Sequence, residues 1–220
     1  MGAGIAGRVL QGVARTVRRA QERLAHPLRR RAAVRRVSRH APPQVVLMVC
    51  HGNICRSPYA AALLRRSLAP LVGDRIRVAS AGFVRPGRPC PGVAVEVAAA
   101  RGLELSMHRS QLLAGPEVFA ADLILVMDPT QRRAIRAIFG RSSNDVLVLG
   151  DFDPEPIVTR EIRDPVEQPK EVFELSYSQI ERCVGELVRA VSLSVQRAAS
   201  LTPSGRDPDG ERSGRQEQTA

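Results

Sequence analysis

Long apolar runs are missing from this sequence, and so is the compact apolar stretch of a secretory signal at its N-terminus. The first absence argues against a transmembrane helix, which needs about 20 consecutive apolar residues, and the second argues against export. The four cysteines, Cys50, Cys55, Cys90 and Cys183, lack both the C-x-x-C spacing of zinc sites and the density of a disulfide scaffold. We therefore expect a cytoplasmic protein with reduced thiols.

Acidic residues are almost absent from one part of the chain. Residues 1–40 contain eleven arginines and one glutamate, which leaves 22 basic and 21 acidic residues for the remainder of the 220-residue sequence. The formal charge of +11 therefore belongs to the N-terminal arm, and the nearly neutral body gives no sign of a specific nucleic-acid partner.

Composition divides the chain into three regions. Residues 1–43 form the basic arm, residues 44–200 form a body large enough to bury an apolar core, and residues 201–220 are rich in Ser, Gly, Pro and charge. The last region cannot bury enough apolar surface to fold by itself, so we predict a disordered polar tail.

The basic arm has the pattern of an amphipathic helix. Its apolar residues recur at steps of three or four, and arginines occupy the positions between them. Such a helix can lie on an anionic membrane surface, which predicts a peripheral membrane association; a solvated helix or a disordered extension is the alternative. The apolar stripe consists of Val9, Val13, Val17, Ala20, Leu24 and Leu28.

The body alternates short apolar runs with helical patterns. Runs at residues 45–49, 76–79, 123–127 and 146–149 are typical of strands buried on both faces. Helical segments at residues 58–68, 93–100, 130–139 and 170–197 complete the alternation. This order predicts a single α/β domain with a four-stranded parallel sheet and helices on both faces. Ligands of such sheets bind beyond the carboxyl ends of the strands, so the residues after the first strand come first as a candidate site.

The segment after the first predicted strand has the features of a phosphate-binding loop. A cysteine and an arginine, with five residues between them, stand between the strand and a helix, where backbone N–H groups and the positive helix end attract an anion. Gly52 permits a tight turn, Ser57 is a natural N-cap and Pro58 suits the first helical turn. The segment reads Cys50-His51-Gly52-Asn53-Ile54-Cys55-Arg56-Ser57-Pro58.

This arrangement combines a nucleophile and an anion holder in one loop. The planar guanidinium of Arg56 can bind two phosphate oxygens, and the same positive field favours the thiolate form at Cys50. We therefore predict that Cys50 attacks a phosphate held by Arg56. The alternative is a buried, inert cysteine with a surface arginine.

The sequence V-C-H-G-N-I-C-R-S-P at residues 49–58 resembles the signature loop of the low-molecular-weight protein-tyrosine phosphatases. The resemblance extends over roughly residues 44–195 and leaves out the arm and the tail. It implies hydrolysis of a phosphorylated protein through a phosphocysteine intermediate, without metal or cofactor. Further matches, in the family's order, are S-A-G at 80–82, H-R-S at 108–110, V-M-D at 126–128 and I-R-D-P at 162–165.

The resemblance also implies roles for residues around the loop. Asn53, Ser57, Ser80 and His108 would form the hydrogen-bonded network that supports it. Cys55 would be the redox partner that forms a disulfide with the nucleophile and protects it from irreversible oxidation.

An acid must protonate the leaving oxygen when the phosphoryl group moves to sulfur. The resemblance favours Asp164, which is followed by Pro165 shortly before the last helix. Asp128 and Asp153 also precede prolines and remain alternatives, although Asp128 stands where it can cap a helix.

Departures from the family pattern leave the substrate open. Val166 follows the Asp-Pro pair, where many members carry an aromatic residue, and Phe83 is the nearest replacement. Ile54 stands where arginine phosphatases of the family tend to carry Thr, which favours phosphotyrosine over phosphoarginine. An arsenate reductase would need two further cysteines near each other, and a silent module that only binds phosphorylated partners is the remaining alternative.

Overall fold

The computed structural model describes the backbone of residues 3–201 and the side chains from residue 16 onward, except residue 18. Four strands form one parallel sheet in the order β2-β1-β3-β4. Because β1 lies between β2 and β3, its carboxyl end is at the point where the strand order reverses, which is the usual ligand position in such sheets. The strands are β1 (Val45–Cys50), β2 (Arg77–Gly82), β3 (Leu123–Val126) and β4 (Val146–Val148).

Helices cover both faces of this sheet, as the sequence predicts. Successive residues of β1 enter two different cores: Val46 and Met48 pack on the α2 and α6 side, whereas Leu47 and Val49 pack on the α4 and α5 side. The helices are α1 (Ala3–Ser38), α2 (Arg56–Val72), α3 (Gly92–Ala99), α4 (Gly115–Ala120), α5 (Pro129–Phe139) and α6 (Lys170–Leu201).

The predicted single α/β domain with a four-stranded parallel sheet is confirmed, and each predicted strand and body helix is present within a few residues of its expected ends. Helix α4 was not expected, because six residues around Pro116 carry too short a pattern to indicate a helix. The predicted disordered tail lies outside the described residues, apart from Leu201 at the end of α6.

Helix α1 packs against the domain through its second half. Ala33 and Val37 are buried in the larger core, and His26 is buried against the segment after β4. The predicted apolar stripe lies on the other side of the helix: Leu24 is 80% exposed and Leu28 69% exposed. The second half of the helix is therefore docked on the domain. Val9 and Val13 lie outside the residues whose side chains are described.

Two faces of α1 can differ in this way because a helix turns 100° per residue, which places residues 26, 33 and 37 opposite residues 17, 24 and 28. The sequence pattern identifies the apolar stripe but not the side of the helix that meets the domain. Among residues 3–201, none of the helices has the length and apolar character needed to cross a bilayer.

Candidate active site

The segment between β1 and α2, residues 50–57, forms the floor of a cavity of about 330 Å³ and is called the phosphate loop below. One wall comes from the loop after β2. The other comes from the acid-bearing segment, residues 149–166, which runs from the end of β4 towards α6. The lining residues are Cys50, His51, Gly52, Ile54, Cys55, Arg56, Val84, Arg85, Arg88, Asp164 and Val166.

Asn53 holds the phosphate loop in shape from its centre. The residue is fully buried and has a positive φ of 50°, a conformation that asparagine tolerates better than most residues. Its Nδ2 donates to Ser57 Oγ and Ser80 Oγ, both at 2.9 Å, and its Oδ1 accepts from the backbone N–H of Gln111 at 2.8 Å. The side chain thereby ties the loop to β2 and to the segment before β3.

Close approach of the backbone requires glycine at Gly82, whereas the nearest neighbour of Gly52 is the flexible end of an arginine side chain. The left-handed φ falls on Asn53, whereas a Cβ at Gly52 would lie 2.9 Å from Nη2 of Arg88. At Gly82, at the end of β2, a Cβ would lie 2.8 Å from the backbone nitrogen of Asn53 and 2.9 Å from the carbonyl oxygen of His51. Any side chain at Gly82 would push β2 away from the phosphate loop.

The sulfur of Cys50 receives two hydrogen bonds. The backbone N–H of Asn53 donates to Sγ at 3.2 Å, and the hydroxyl of Ser57 donates to it at 3.0 Å. Both contacts suit a sulfur that accepts hydrogen bonds, as a thiolate does. The predicted N-cap role of Ser57 is wrong: Cys55 precedes the first residue of α2, and the Ser57 hydroxyl contacts the Cys50 sulfur instead.

Arg56 begins α2 and is 97% buried, with 3% of its surface exposed. Its Nη1 donates to the carbonyl oxygen of Ile162 at 3.1 Å, and its Nη2 pairs with the carboxylate of Asp164. Nε has no hydrogen-bond partner among the described residues. Nε and Nη2 share one edge of the guanidinium, so this edge can bind two oxygens of one anion.

Asp164 is the one carboxylate among the described residues that lines the cavity, and its side chain remains 39% exposed. The alternatives lie elsewhere. Asp128 caps α5 by accepting from the backbone N–H groups of Thr130 and Gln131 at 2.7 and 2.9 Å, which confirms its predicted cap. Asp153 is fully buried, and both of its carboxylate oxygens accept from Arg182 at 2.9 Å.

His108 supports the phosphate loop from outside. Its Nε2 lies 2.8 Å from the carbonyl oxygen of Asn53, so the ring must donate through Nε2. Burial lowers the pKa of His108 below 6.5, and the nearby Arg109 and Arg65 lower it further. The hydrogen bond to Asn53 acts in the opposite direction but has a smaller effect on the pKa than burial. The neutral, Nε2-protonated ring is therefore the form that fits this position. All four predicted support residues, Asn53, Ser57, Ser80 and His108, thus meet around the loop.

The other three cysteines are buried, as Cys50 is. Cys55 and Cys90 are buried in the same core cluster as Cys50, and burial raises the pKa of both thiols, that of Cys90 to about 11. Cys183 is fully buried in α6, away from the cavity, and burial raises its pKa as well. All four cysteines are free thiols.

Sequence reasoning missed the wall formed by the loop after β2. Val84, Arg85 and Arg88 line the cavity there, whereas Phe83 is half-buried and packs against the smaller core. The position of this loop after the carboxyl end of β2 could have predicted that it borders the site, because the carboxyl ends of parallel strands meet at one edge of the sheet. The cavity thus combines a sulfur nucleophile candidate, a buried guanidinium edge and one exposed carboxyl group, which is a set suited to phosphoryl transfer.

Comparisons with known proteins agree with this site. The family model described as low molecular weight phosphotyrosine protein phosphatase matches residues 45–197. The probable low molecular weight protein-tyrosine-phosphatase EpsP of Ralstonia nicotianae is 40% identical over 142 residues, which cover 64% of this chain and 91% of that protein.

Solved structures with the same fold include two kinds of phosphatase. The Erwinia amylovora tyrosine phosphatase amsI is 30% identical, with a TM-score of 0.60 over 67% of this chain and 92% of its own. The YwlE arginine phosphatase from Geobacillus stearothermophilus is 27% identical, with a TM-score of 0.61 over 74% of this chain and 99% of its own. Since the family model matches well over half of the sequence, the chain belongs to the low molecular weight phosphotyrosine protein phosphatase family and is an enzyme.

Proposed function

We propose that this enzyme hydrolyses phosphotyrosine in protein substrates through a phosphocysteine intermediate on Cys50. The observation that carries the proposal is the arrangement around the phosphate loop: the Cys50 sulfur accepts two hydrogen bonds, and the free Nε of Arg56 stands on the same edge as the Nη2 that holds Asp164. A phosphate over the loop would take both Nε and Nη2 and would release the Asp164 carboxyl group towards the leaving oxygen.

Two steps follow. In the first, the Cys50 thiolate attacks phosphorus, the bond from phosphorus to the phenolic oxygen breaks, and Asp164 gives its proton to that oxygen. In the second, Asp164 takes a proton from water, the water oxygen attacks phosphorus, and the bond to sulfur breaks to release inorganic phosphate. Asn53, Ser57, Ser80 and His108 keep the loop in position through both steps.

The test is to trap the intermediate. Purified enzyme mixed with p-nitrophenyl phosphate and quenched in acid within one turnover should carry one phosphoryl group on Cys50, located by mass spectrometry after digestion. Cys90→Ser is the matched control and should carry the same group on Cys50. Turnover without any phosphocysteine would contradict the proposal.

Phosphoarginine is the second candidate substrate, because a YwlE arginine phosphatase shares the fold. Ile54 lines the cavity at the position where the arginine phosphatases tend to carry Thr, which supports phosphotyrosine. A parallel assay with phosphotyrosine peptide, phosphoarginine peptide and arsenate separates these reactions. Retention of Cys50, Arg56 and Asp164 in one cavity argues against a silent binding module.

For Cys55 we propose the role of redox partner to Cys50. Peroxide converts the Cys50 thiolate to a sulfenic acid, the Cys55 thiol attacks that sulfur, and water leaves as the disulfide forms. Mild peroxide should therefore inactivate the enzyme reversibly, and mass spectrometry should find the two residues joined. If Cys55→Ala regains as much activity with thiol as wild type does, the protective role is wrong.

We further propose that the enzyme acts in the cytoplasm at an anionic membrane surface, to which the exposed face of α1 binds. Leu24, Leu28 and Val17 are exposed there, and Arg31 and Arg35 lie on the same side of the helix. Vesicles containing phosphatidylserine should bind wild type more strongly than the double variant Leu24→Glu/Leu28→Glu, in a salt-sensitive way. Leu175→Glu, on the equally exposed Leu175 of α6, is the matched control and should bind like wild type.

A further inference from the structure

The wall formed by the loop after β2 carries two positive charges that the phosphoryl-transfer steps do not use. Arg85 and Arg88, called the cationic rim below, both line the cavity. The other charged pair in the lining, Arg56 and Asp164, is internally balanced. Neither rim arginine forms an ion pair with any carboxylate in the described part of the chain, although the body as a whole is nearly neutral.

The rim is rigidly built. Arg85 has a positive φ of 41°, and Gly87 follows with a φ of 80°, so the chain turns sharply between the two arginines. Ser110 clamps this turn: its Oγ donates to the Arg85 carbonyl at 2.8 Å and accepts from the Arg88 N–H at 2.9 Å, and its carbonyl accepts from the Gly87 N–H at 2.7 Å. Ser110 therefore fixes the backbone from which both side chains extend beside the phosphate loop.

The guanidinium groups of Arg85 and Arg88 differ in the hydrogen bonds that they form within the protein. Nη2 of Arg88 donates to the carbonyl oxygen of Gly52 at 2.9 Å, and Nε donates to the Arg85 carbonyl at 3.3 Å, so Arg88 is partly tied to the phosphate loop. The guanidinium of Arg85 is exposed and forms no hydrogen bond with another described residue. Arg85 is therefore the rim residue with its full hydrogen-bonding capacity available to a substrate.

The remaining wall does not supply an aromatic surface. Val84, Val166 and Ile54 line the cavity, and among the described residues no Phe, Tyr or Trp belongs to its lining. Aliphatic side chains give the phenol ring contact area without the stacking that an aromatic residue adds. Selectivity among phosphotyrosine sites must then come from groups beyond the ring, and the strongest such groups at the cavity mouth are the two arginines.

We propose that the cationic rim selects phosphotyrosine sites flanked by acidic residues, with Arg85 as the main specificity-determining residue. The proposal rests on the proposed phosphotyrosine phosphatase activity. The phosphate is already neutralised by Arg56 and the loop N–H groups, so the rim acts on negative charge that lies beside the phosphotyrosine, namely Asp or Glu side chains of the substrate. Because such contacts are equal in the bound substrate and the transition state, they lower KM more than they raise kcat.

The test compares two phosphotyrosine peptides of equal length, one with Glu residues flanking the phosphotyrosine and one with Gln at the same positions. At low ionic strength, wild type should cleave the Glu peptide with a kcat/KM several-fold higher, since each exposed ion pair changes binding by about two- to fivefold. Adding 0.5 M NaCl should remove most of this difference. The preference should appear in KM.

Arg85→Glu should abolish or reverse the preference, and Arg85→Asn, which tolerates the positive φ, should reduce it to a smaller value. Arg136→Glu, on an exposed arginine of α5 outside the cavity, makes the same change in net charge and should keep the wild-type preference. Circular dichroism verifies that each variant is folded, and the preference is read as the ratio of kcat/KM for the two peptides within each variant, whatever its overall turnover.

The outcomes separate this inference from the proposed function. If wild type turns over p-nitrophenyl phosphate and cleaves the Glu peptide and the Gln peptide with the same kcat/KM, the rim inference is wrong and the proposed function stands. The rim inference is also wrong if Arg85→Glu and Arg136→Glu keep the same preference. If wild type cleaves phosphoarginine peptide but neither phosphotyrosine peptide, the proposed function fails and the rim inference fails with it.

Discussion

The phosphate loop and the acid-bearing segment meet at the cavity through Arg56 and Asp164, but they are built in different ways. Within the loop, Asn53 and Ser57 contact the Cys50 sulfur from three and seven residues away, so the contacts to the nucleophile itself come from neighbours in sequence. The acid-bearing segment depends on remote residues: Asp153 binds Arg182 of α6, and its carbonyl contacts His26 of α1 at 2.8 Å.

This difference agrees with the proposed roles of the two regions in phosphate binding and proton transfer. A phosphate cradle must be preorganised, so it is buried and its donors are fixed before substrate arrives. An acid must reach leaving groups of different substrates, and Asp164 is accordingly more exposed than Arg56, its partner in the ion pair.

The largest effect is expected in the loop. Cys50→Ser should reduce kcat for p-nitrophenyl phosphate by more than about a thousandfold, because a neutral hydroxyl in the same position has no base beside it. Thermal unfolding should show that the variant remains folded. Cys90→Ser, a buried cysteine outside the cavity lining, is the matched control and should retain most activity; comparable losses in both variants would contradict the assignment of Cys50.

The acid-bearing segment should show a dependence on the leaving group. Asp164→Asn should slow single-turnover cleavage of phenyl phosphate much more than that of p-nitrophenyl phosphate, because nitrophenolate leaves readily without a proton. General acid catalysis contributes about a hundredfold to ten-thousandfold, so the gap is measurable. Release of the phenol must be followed within one turnover, since the second step is common to both substrates.

Asp128→Asn is the control for that experiment, because asparagine caps a helix as well as aspartate does. It should leave both rates unchanged. Equal slowing of both substrates by Asp164→Asn would make Asp164 a positioning residue only.

Arg56 joins the two regions, because it belongs to the loop and binds both Ile162 and Asp164. Arg56→Lys should lower kcat/KM by about a hundredfold to a thousandfold, since an ammonium group cannot hold two oxygens in one plane. Arg136→Lys, on the surface of α5, should behave like wild type. Near-normal kinetics for Arg56→Lys would remove this residue from the role of phosphate holder.

The contact between α1 and the acid-bearing segment should contribute to the free energy of unfolding. His26→Ala removes a buried ring and its hydrogen bond to the Asp153 carbonyl, which should lower the free energy of unfolding by about 1–3 kcal/mol. Leu24→Ala, two residues earlier but exposed, should change it by less than about 0.5 kcal/mol. Urea denaturation measures both, and equal changes would mean that α1 does not brace the segment.

The smallest effect concerns pH. Because the pKa of His108 is lowered by folding, the unfolded chain binds a proton more readily than the folded chain. The stability from this residue is complete above pH 6.5 and decreases as the pH falls below 6.5. The urea midpoint should therefore decline less between pH 7.5 and 5.5 in His108→Gln than in wild type. Identical slopes in the two proteins would contradict this effect.

Local sequence was sufficient to predict those parts of the structure that depend on contacts between residues close in sequence. The apolar runs predicted the four strands, and the alternation with helices predicted the parallel sheet. The order strand, Cys50, Arg56, helix indicated the phosphate loop, because the nucleophile and the guanidinium belong to one short segment. The resemblance placed Ser80, His108 and Asp164 near that loop, and their contacts with it are long-range.

Tertiary structure decided what local patterns could not contain. The positive φ at Asn53 instead of Gly52, and the use of Ser57 on the sulfur instead of as a cap, depend on how β2 and the loop pack against each other. The sequence does not determine which face of α1 packs against α6. A helix with apolar residues on two sides can dock through either, and packing buries Ala33 and Val37 while Leu24 and Leu28 stay exposed. Arg85 and Arg88 carry no local signal in a chain rich in arginine, and only the turn clamped by Ser110 brings them to the cavity.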